Sequence, residues 1–247
     1  MELININFDF TTDTPHYWDN FWDNPYGIGG GKNDPDSKSK TLQKYHQLVW
    51  NRQLPNGEIL DLKIRSDNNY LVWNSISFGS DSILASFRYK KYESHLEQVA
   101  SVVPDYKLFI ETFLRKAYTI GGTIIFPKNN SINRARGINP FICDRWDLTL
   151  ECIRKYYNNE DSPLYNVLND NREFFDLFVD FRGYVDFFFL QDCVSSDYKS
   201  VTFWIKNDSF KKYPLPESVE EYITWINNQL KFVKKRNERI DKFINLK

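Results

Sequence analysis

YTIGGTIIFPKNNSINRARGINPFICDRWDLTLECIRKYY, residues 118–157, sets the architecture of this chain. Gly121-Gly122 closes a helical pattern running from about Asp105 to Tyr118, because glycine accepts the left-handed conformation that ends a helix. GTIIFP then reads as a buried strand, a short apolar run rich in β-branched residues. KNNSINRARGIN is polar and reads as a loop. From about Cys143 to Tyr157 the spacing turns helical again.

Outward from this core, LININFDF alternates and reads as a strand within residues 1–12. Residues 13–37 read as a loop rich in Pro, Asp, Asn and Gly. Leu42, Tyr45, Leu48 and Val49 give a helix from Lys40 to Leu54, capped by Ser39 or Thr41. Pro55-Asn56-Gly57 turns the chain into the strand ILDLKI, and YLVWNSISFGS is a second strand. Ser162-Pro163 opens a further helix, which Gly183 separates from another. VTFWI is a strand, and Glu217–Leu246 is one long helix. The expectation is a single α+β domain over residues 1–247. A small sheet from the N-terminal half and centre packs on a helix-rich C-terminal half that ends in the long helix.

Aromatic residues make up 17% of the 247 residues, enough for a core without disulfides or metal. Lys plus Arg (32) nearly cancels Asp plus Glu (33), so net charge names no partner. Cys143, Cys152 and Cys193 form no CxxC pair, and three buried reduced thiols suit a cytoplasmic location. The N-terminus lacks a signal-peptide pattern, and no apolar run reaches the roughly 18 residues of a membrane span. Residues 158–197 hold nine acids against two bases, whereas residues 231–247 hold seven bases against two acids. The two blocks either complement each other or leave the tail for an anionic partner.

Several constellations could carry chemistry. Arg134 and Arg136, two apart in SINRARGIN, could grip one phosphate or carboxylate, with Arg145 and a helix N-terminus behind them. The competing role is pairing with acids of the 158–197 block. Asp144, Asp147 and Glu151 fall on one helical face, either as dipole-complementing acids or as carboxylates for a cation. Asp180, Arg182 and Asp186 sit in an aromatic run, where a buried ion pair is expected. GIGGGK, residues 27–32, fails the phosphate-loop pattern, because Tyr26 stands where Gly is needed and Asn33 where Ser or Thr is. His46 lies within a helical pattern as a structural residue or a general base, and no histidine has metal-ligand spacing. In the last helix Val219, Ile226, Val233 and Ile240 alternate with Ile223, Leu230, Asn237 and Ile244. This heptad suits either docking on the chain's own core or a homodimer seam.

The blocks YTIGGTIIFP, INRARGIN, DRWDLTLECIRKYY and DFRGYVDFFFLQDCV, with DSKSKTLQKYHQLVWNRQLPNGEILDL, together resemble a family of uncharacterised bacterial proteins. The resemblance spans most of the chain and implies one full-length, bacterial, cytosolic domain. It implies no activity, cofactor or catalytic residue. From the residues alone, the leading expectation is an anion site of Arg134, Arg136 and Arg145 for a nucleotide or nucleic-acid phosphate. An enzyme built on it would be a hydrolase or transferase acting at phosphorus, with Asp144, Asp147 and His46 as acid/base candidates and no metal assigned. The alternative is a non-catalytic protein that associates through its C-terminal helix.

Overall fold

Short β-branched and aromatic runs of the first half pair with GTIIFP in one antiparallel sheet. The computed structural model describes residues 4–24, 33–65, 70–128, 132–206 and 209–245. Strands β1 (Lys63–Ile64), β2 (Leu71–Trp73), β3 (Ile76–Ser82) and β4 (Thr123–Pro127) pair in that order. The run from Tyr70 to Ser80, expected as one strand, is two. Asn74 takes φ 50, a left-handed conformation asparagine tolerates, and the chain reverses so that Trp73 faces Ile76. β3 then pairs with β4 from Phe78↔Pro127 to Ser82↔Thr123, and β4 is buried along its whole length.

Helices α1 (Tyr17–Asp23), α2 (Pro35–Lys38), α3 (Lys40–Trp50), α4 (Glu93–Val102), α5 (Tyr106–Ala117) and α6 (Ile132–Ile138) are interspersed with the strands. The second half holds α7 (Trp146–Tyr157), α8 (Tyr165–Asp170), α9 (Arg172–Asp176), α10 (Phe181–Phe187) and α11 (Val219–Asn245). The fold is therefore α+β, with the sheet drawn from the N-terminal half and centre. Ser39 starts α3 as expected, its Oγ accepting from the Leu42 amide at 3.0 Å.

Several local expectations are corrected. Of LININFDF, the described residues 4–10 do not pair as a strand. Asp9 caps a short 3-10 turn, and Phe10 buries edge-on against Tyr45 of α3 at 5.5 Å between ring centroids. The segment 13–37 carries α1 and α2, and GIGGGK lies outside the described residues. KNNSINRARGIN holds α6, whose Ile132 and Arg136 are buried. α5 buries Ile110, Phe113, Leu114 and Ala117, while Leu108 is exposed. Gly183 lies inside α10, where an added Cβ would stand 2.1 Å from the Phe178 carbonyl oxygen. Close approach, not a helix break, requires glycine there. VTFWI makes a single bridge, Val194↔Val201. Asp180, Arg182 and Asp186 are at the surface; Asp180 caps α10, and Arg182 lies 3.6 Å from Asp186 in a solvated pair.

α11 is the spine. It buries Tyr222, Trp225, Ile226, Phe232, Val233 and Ile240, each worth roughly 1.5–3 kcal/mol of apolar burial. Its polar side chains do a second job. The extended segment after β3 has no partner strand for Ala85 and Ser86, and α11 supplies the missing hydrogen bonds. Gln229 accepts from the Ala85 amide at 2.8 Å, Trp225 Nε1 donates to the Ala85 carbonyl at 2.7 Å, and Tyr222 donates to the Ser86 carbonyl at 2.8 Å. Further along, Asn237 accepts from the Gly121 amide at 2.7 Å and donates to Thr119 Oγ1 at 2.9 Å. Arg236 donates to the carbonyls of Phe188, Gly121 and Thr123. Asn237 thus finds its partners within the chain. Lys235 and Arg239 both reach Asp192, at 3.1 and 2.7 Å, so part of the basic tail meets the acidic block within the chain. All three cysteines are free and buried. Among the described residues no helix is long and apolar enough to cross a membrane.

Candidate functional site

The segment Ser82–Tyr89 leaves β3, lies along α11 and then bends sharply. Phe87 takes φ 54, a costly conformation for a bulky residue. Arg88 follows and is only 8% exposed. Its Nη2 donates to the carbonyls of Phe21 (2.7 Å) and Asn24 (3.2 Å), closing the C-terminal end of α1. Its guanidinium carbon stands 3.6 Å from the Phe21 ring centroid. Its Nη1 is buried without a hydrogen-bond partner among the described residues. Burial holds the guanidinium below its ordinary pKa, and the nearby groups that act against this are the phenols of Tyr106, Tyr17 and Tyr222. Tyr17, 2% exposed, shares a side-chain hydrogen bond with Tyr118, and burial raises its phenol well above the ordinary value. Both residues line a cavity of about 90 Å³, with Ser82, Tyr118 and Asp144 on other parts of its wall.

Carboxyl groups gather beside this cavity. Asp34 caps α2 by accepting from the Asp36 amide at 3.0 Å. Asp36 accepts from Ser80 Oγ and from the Ser82 amide, both at 3.0 Å. Asp81, next on β3, pairs with Arg136 of α6 at 2.5 Å. Asp144 accepts from Tyr89 Oη at 2.7 Å. Burial raises Asp34 to about 6. Burial, then the charges of Asp34 and Asp81, lifts Asp36 well above the usual carboxylate range. Burial raises Asp81 to about 7 against the pull of Arg136, with Asp144 and Asp34 adding to the rise. Among the described residues no group of three His, Cys, Asp or Glu side chains is placed to hold a metal ion.

These raised values set a pH dependence. A carboxyl that holds its proton more tightly when folded favours the native state at acid pH. That contribution is full below the unfolded value near 4 and is lost as pH rises through about 6 to 7. Urea midpoints are therefore expected to fall between pH 5 and pH 8. Asp34→Asn, which keeps an oxygen for the Asp36 amide, should flatten the fall. An equally steep profile in that variant would show that Asp34 plays no part.

The residues singled out in the sequence take different places. Arg136 donates to Asp81 and, through Nε, to Thr149 Oγ1 at 2.8 Å. Arg145, wholly buried, forks onto Asp147 at 3.0 and 2.6 Å. Arg134 is exposed on α6. The partners of Arg136 and Arg145 are thus Asp81 and Asp147, not acids of the 158–197 block. Asp144 precedes α7 with φ 56, so it does not share a helical face with Asp147. Of the residues named from sequence, Asp144 alone is on the cavity wall. His46 is buried and neutral, its pKa pushed down to about 3 by burial and by Arg236. Trp50 Nε1 donates to its Nδ1 at 3.0 Å, so the ring proton sits on Nε2 and is donated to Ser80 Oγ at 2.9 Å. Ser80 in turn donates to Asp36, which makes His46 a support for the acid group.

Arg88, Tyr17, Tyr89, Asp34, Asp36 and Asp81 were not anticipated. Asp34-Pro35-Asp36 offered a local signal, an acid pair with proline opening a helix. Arg88 and Tyr17 gave none, since the contacts that define them span 67 and 64 residues and an inter-ring contact to Tyr118.

The model of a family of unknown function, DUF6994, matches residues 4–240. No curated protein and no solved structure matches the chain.

Proposed function

We propose, for a chain that belongs to the DUF6994 family of unknown function, that the cavity at Arg88 binds a small molecule through an anionic oxygen group, carboxylate or phosphate. One observation carries this reading. Arg88, more than nine-tenths buried, lines the cavity, and its guanidinium Nη1 has no hydrogen-bond partner among the described residues. Leaving a buried donor unmade costs about 1–3 kcal/mol, more for a charged one. A ligand oxygen would satisfy it. Strained backbone at Phe87, Cys143 and Asp144 around the same space supports it.

The chemistry the walls offer is proton transfer. Tyr89 Oη donates to Asp144 at the cavity, and burial raises the carboxyls of Asp34, Asp36 and Asp81 behind it. A phosphate-bearing substrate, the class first suggested by Arg134, Arg136 and Arg145, would be held by Arg88 in this arrangement. Arg136 would act at one remove through Asp81. Nucleotide-sized ligands are disfavoured by volume, since drug-sized ligands occupy roughly 300 Å³ or more. Association through α11 draws less support, because Ile226, Val233 and Ile240 lie in the core and Val219, Leu230 and Ile244 pack against it.

Thermal shift with short carboxylates and inorganic phosphate tests the reading. A ligand at 100 times its Kd stabilises by about 2.7 kcal/mol, which corresponds to roughly 5–10 °C for a domain of this size. Arg88→Met should abolish the shift. A shift that survives in Arg88→Met, or none with any anion in the wild type, would refute the site.

A further inference from the structure

We infer that copies of this chain dock head to tail, independently of the cavity at Arg88. The exposed Val179 of one copy seats in the open groove at Phe141, Phe210 and Pro163 of the next, with acids of the first copy against lysines of the second.

Val179 lies between α9 and α10, is 63% exposed and takes φ 68. For a β-branched residue that conformation is an outlier, and asparagine or glycine adopts it far more readily. The chain thus holds a strained apolar side chain mostly in water, the kind of strain that gathers at binding surfaces. Exposed acids flank it: Asp170, Glu173, Asp176 and Asp180 stand within nine residues of it, against Arg172.

A second face has the opposite charge. Ile138 is 70% exposed, and Phe141 and Tyr213 are exposed with it. The Tyr213 amide donates to the Pro140 carbonyl, which joins the two segments into one patch. Beside Phe141 opens a groove of about 450 Å³, with Phe210, Pro163 and Asp161 on its walls. Lys91 Nζ stands 3.9 Å and Lys212 Nζ 5.5 Å from the centre of the Tyr213 ring. Lys211 precedes them in the chain, and Arg134, four residues before Ile138, shares its face of α6. Four cations against Asp161 leave this patch basic.

Charge selects the occupant, because like charges across a contact are rejected. The flank of Val179 supplies what the groove lacks, an apolar knob set among carboxylates. A nucleic acid matches less well, since Lys91 already covers the Tyr213 ring and Ile138 offers bases no stacking surface. The two faces differ, so the contact is heterologous and every copy carries both halves. A patch of this size belongs to the weak, transient class of interfaces.

Sedimentation velocity of the full chain tests the contact. At about 50 mM salt the mean mass should rise from 29.5 kDa by at least about 1.5-fold as concentration goes from about 10 µM to about 1 mM, and fall back at about 500 mM salt. Val179→Asn suits the left-handed backbone, so it should abolish the rise without lowering the melting temperature. Lys211→Glu combined with Lys212→Glu should abolish it as well. Mixed together, the two variants should form a dimer and stop there, because one retains the groove and the other the knob. A wild type that stays at 29.5 kDa at every concentration overturns the inference, as does assembly that Val179→Asn leaves unchanged. A monomer that instead sediments with phosphatidylserine vesicles, or retards a poly-dT oligonucleotide, would assign the basic patch to lipid or nucleic acid and overturn it too.

Discussion

Asp147→Ala is expected to cost about 3–5 kcal/mol of stability, the range for removing one partner of a buried ion pair. Both side chains of the Arg145–Asp147 pair are fully buried. The Asp147 carboxylate is also an anchor for backbone: Oδ1 accepts from the Leu148 amide at 3.0 Å and Oδ2 from the Trp204 amide at 2.9 Å. It therefore ties the start of α7 to a segment 57 residues away. Truncation leaves a guanidinium partly uncompensated and two amides unpaired in a sealed interior. Chemical denaturation should show the midpoint collapse, with Asp147→Asn intermediate because one amide bond survives. A loss below about 1 kcal/mol would mean that water reaches the pair and that the interior is less closed than described. This variant tests structure and leaves the cavity at Arg88 untouched.

Gly122→Ala should be comparably severe, at about 3 kcal/mol or more. A Cβ at Gly122 would lie 1.7 Å from the Ala117 carbonyl oxygen and 2.8 Å from its carbon. Those are backbone atoms at the end of α5, so no rotamer change relieves the overlap; α5 or β4 must move. Gly121 is nearly as confined, with Asn237 Oδ1 at 2.6 Å and the Val233 carbonyl at 2.9 Å from an added Cβ. Neither has the positive φ expected from the sequence; Gly57, at φ 91, is the described glycine that does. Gly79→Ala is the control, since nothing lies within 4 Å of its added Cβ, and should change stability by under about 1 kcal/mol. Equal effects at Gly79 and Gly122 would refute close packing as the cause.

Elements set by local chemistry were legible. The Ser39 cap, the β4 run and the long last helix follow from residues within a few positions of one another. So did the expectation that Asn237 faces a packed seam, although its partners, Gly121 and Thr119, belong to the same chain. What was not legible depends on distant contacts. LININFDF alternates like a strand but finds a helix, α3, rather than a sheet edge. Asn74 splits one strand into two by adopting a conformation that its neighbours do not announce. At the site, Asp144 was legible as an acid at the start of a helix, although it stands before α7 and not on its face. Arg88, inside FRYKKY, resembles any surface arginine until Phe21 and Asn24 are brought beneath it. SINRARGIN concentrates charge at Arg134 and Arg136, two apart, yet Arg136 and Arg145 each stand against a carboxylate. Spacing reveals where charge is concentrated, and only the fold reveals which charge has been left without a mate.

α11 supplies hydrogen bonds that the stretch after β3 would otherwise lack, and it follows that stretch by more than a hundred residues. A growing polypeptide emerging from the ribosome thus carries Ala85, Ser86 and Gly121 with their backbone groups open to water until residues 219–245 have been synthesised. Truncated chains ending before Val219 should stay protease-sensitive across the sheet, and adding the missing peptide in trans should restore protection. One helix in that sense acts as the latch for segments made more than a hundred residues earlier.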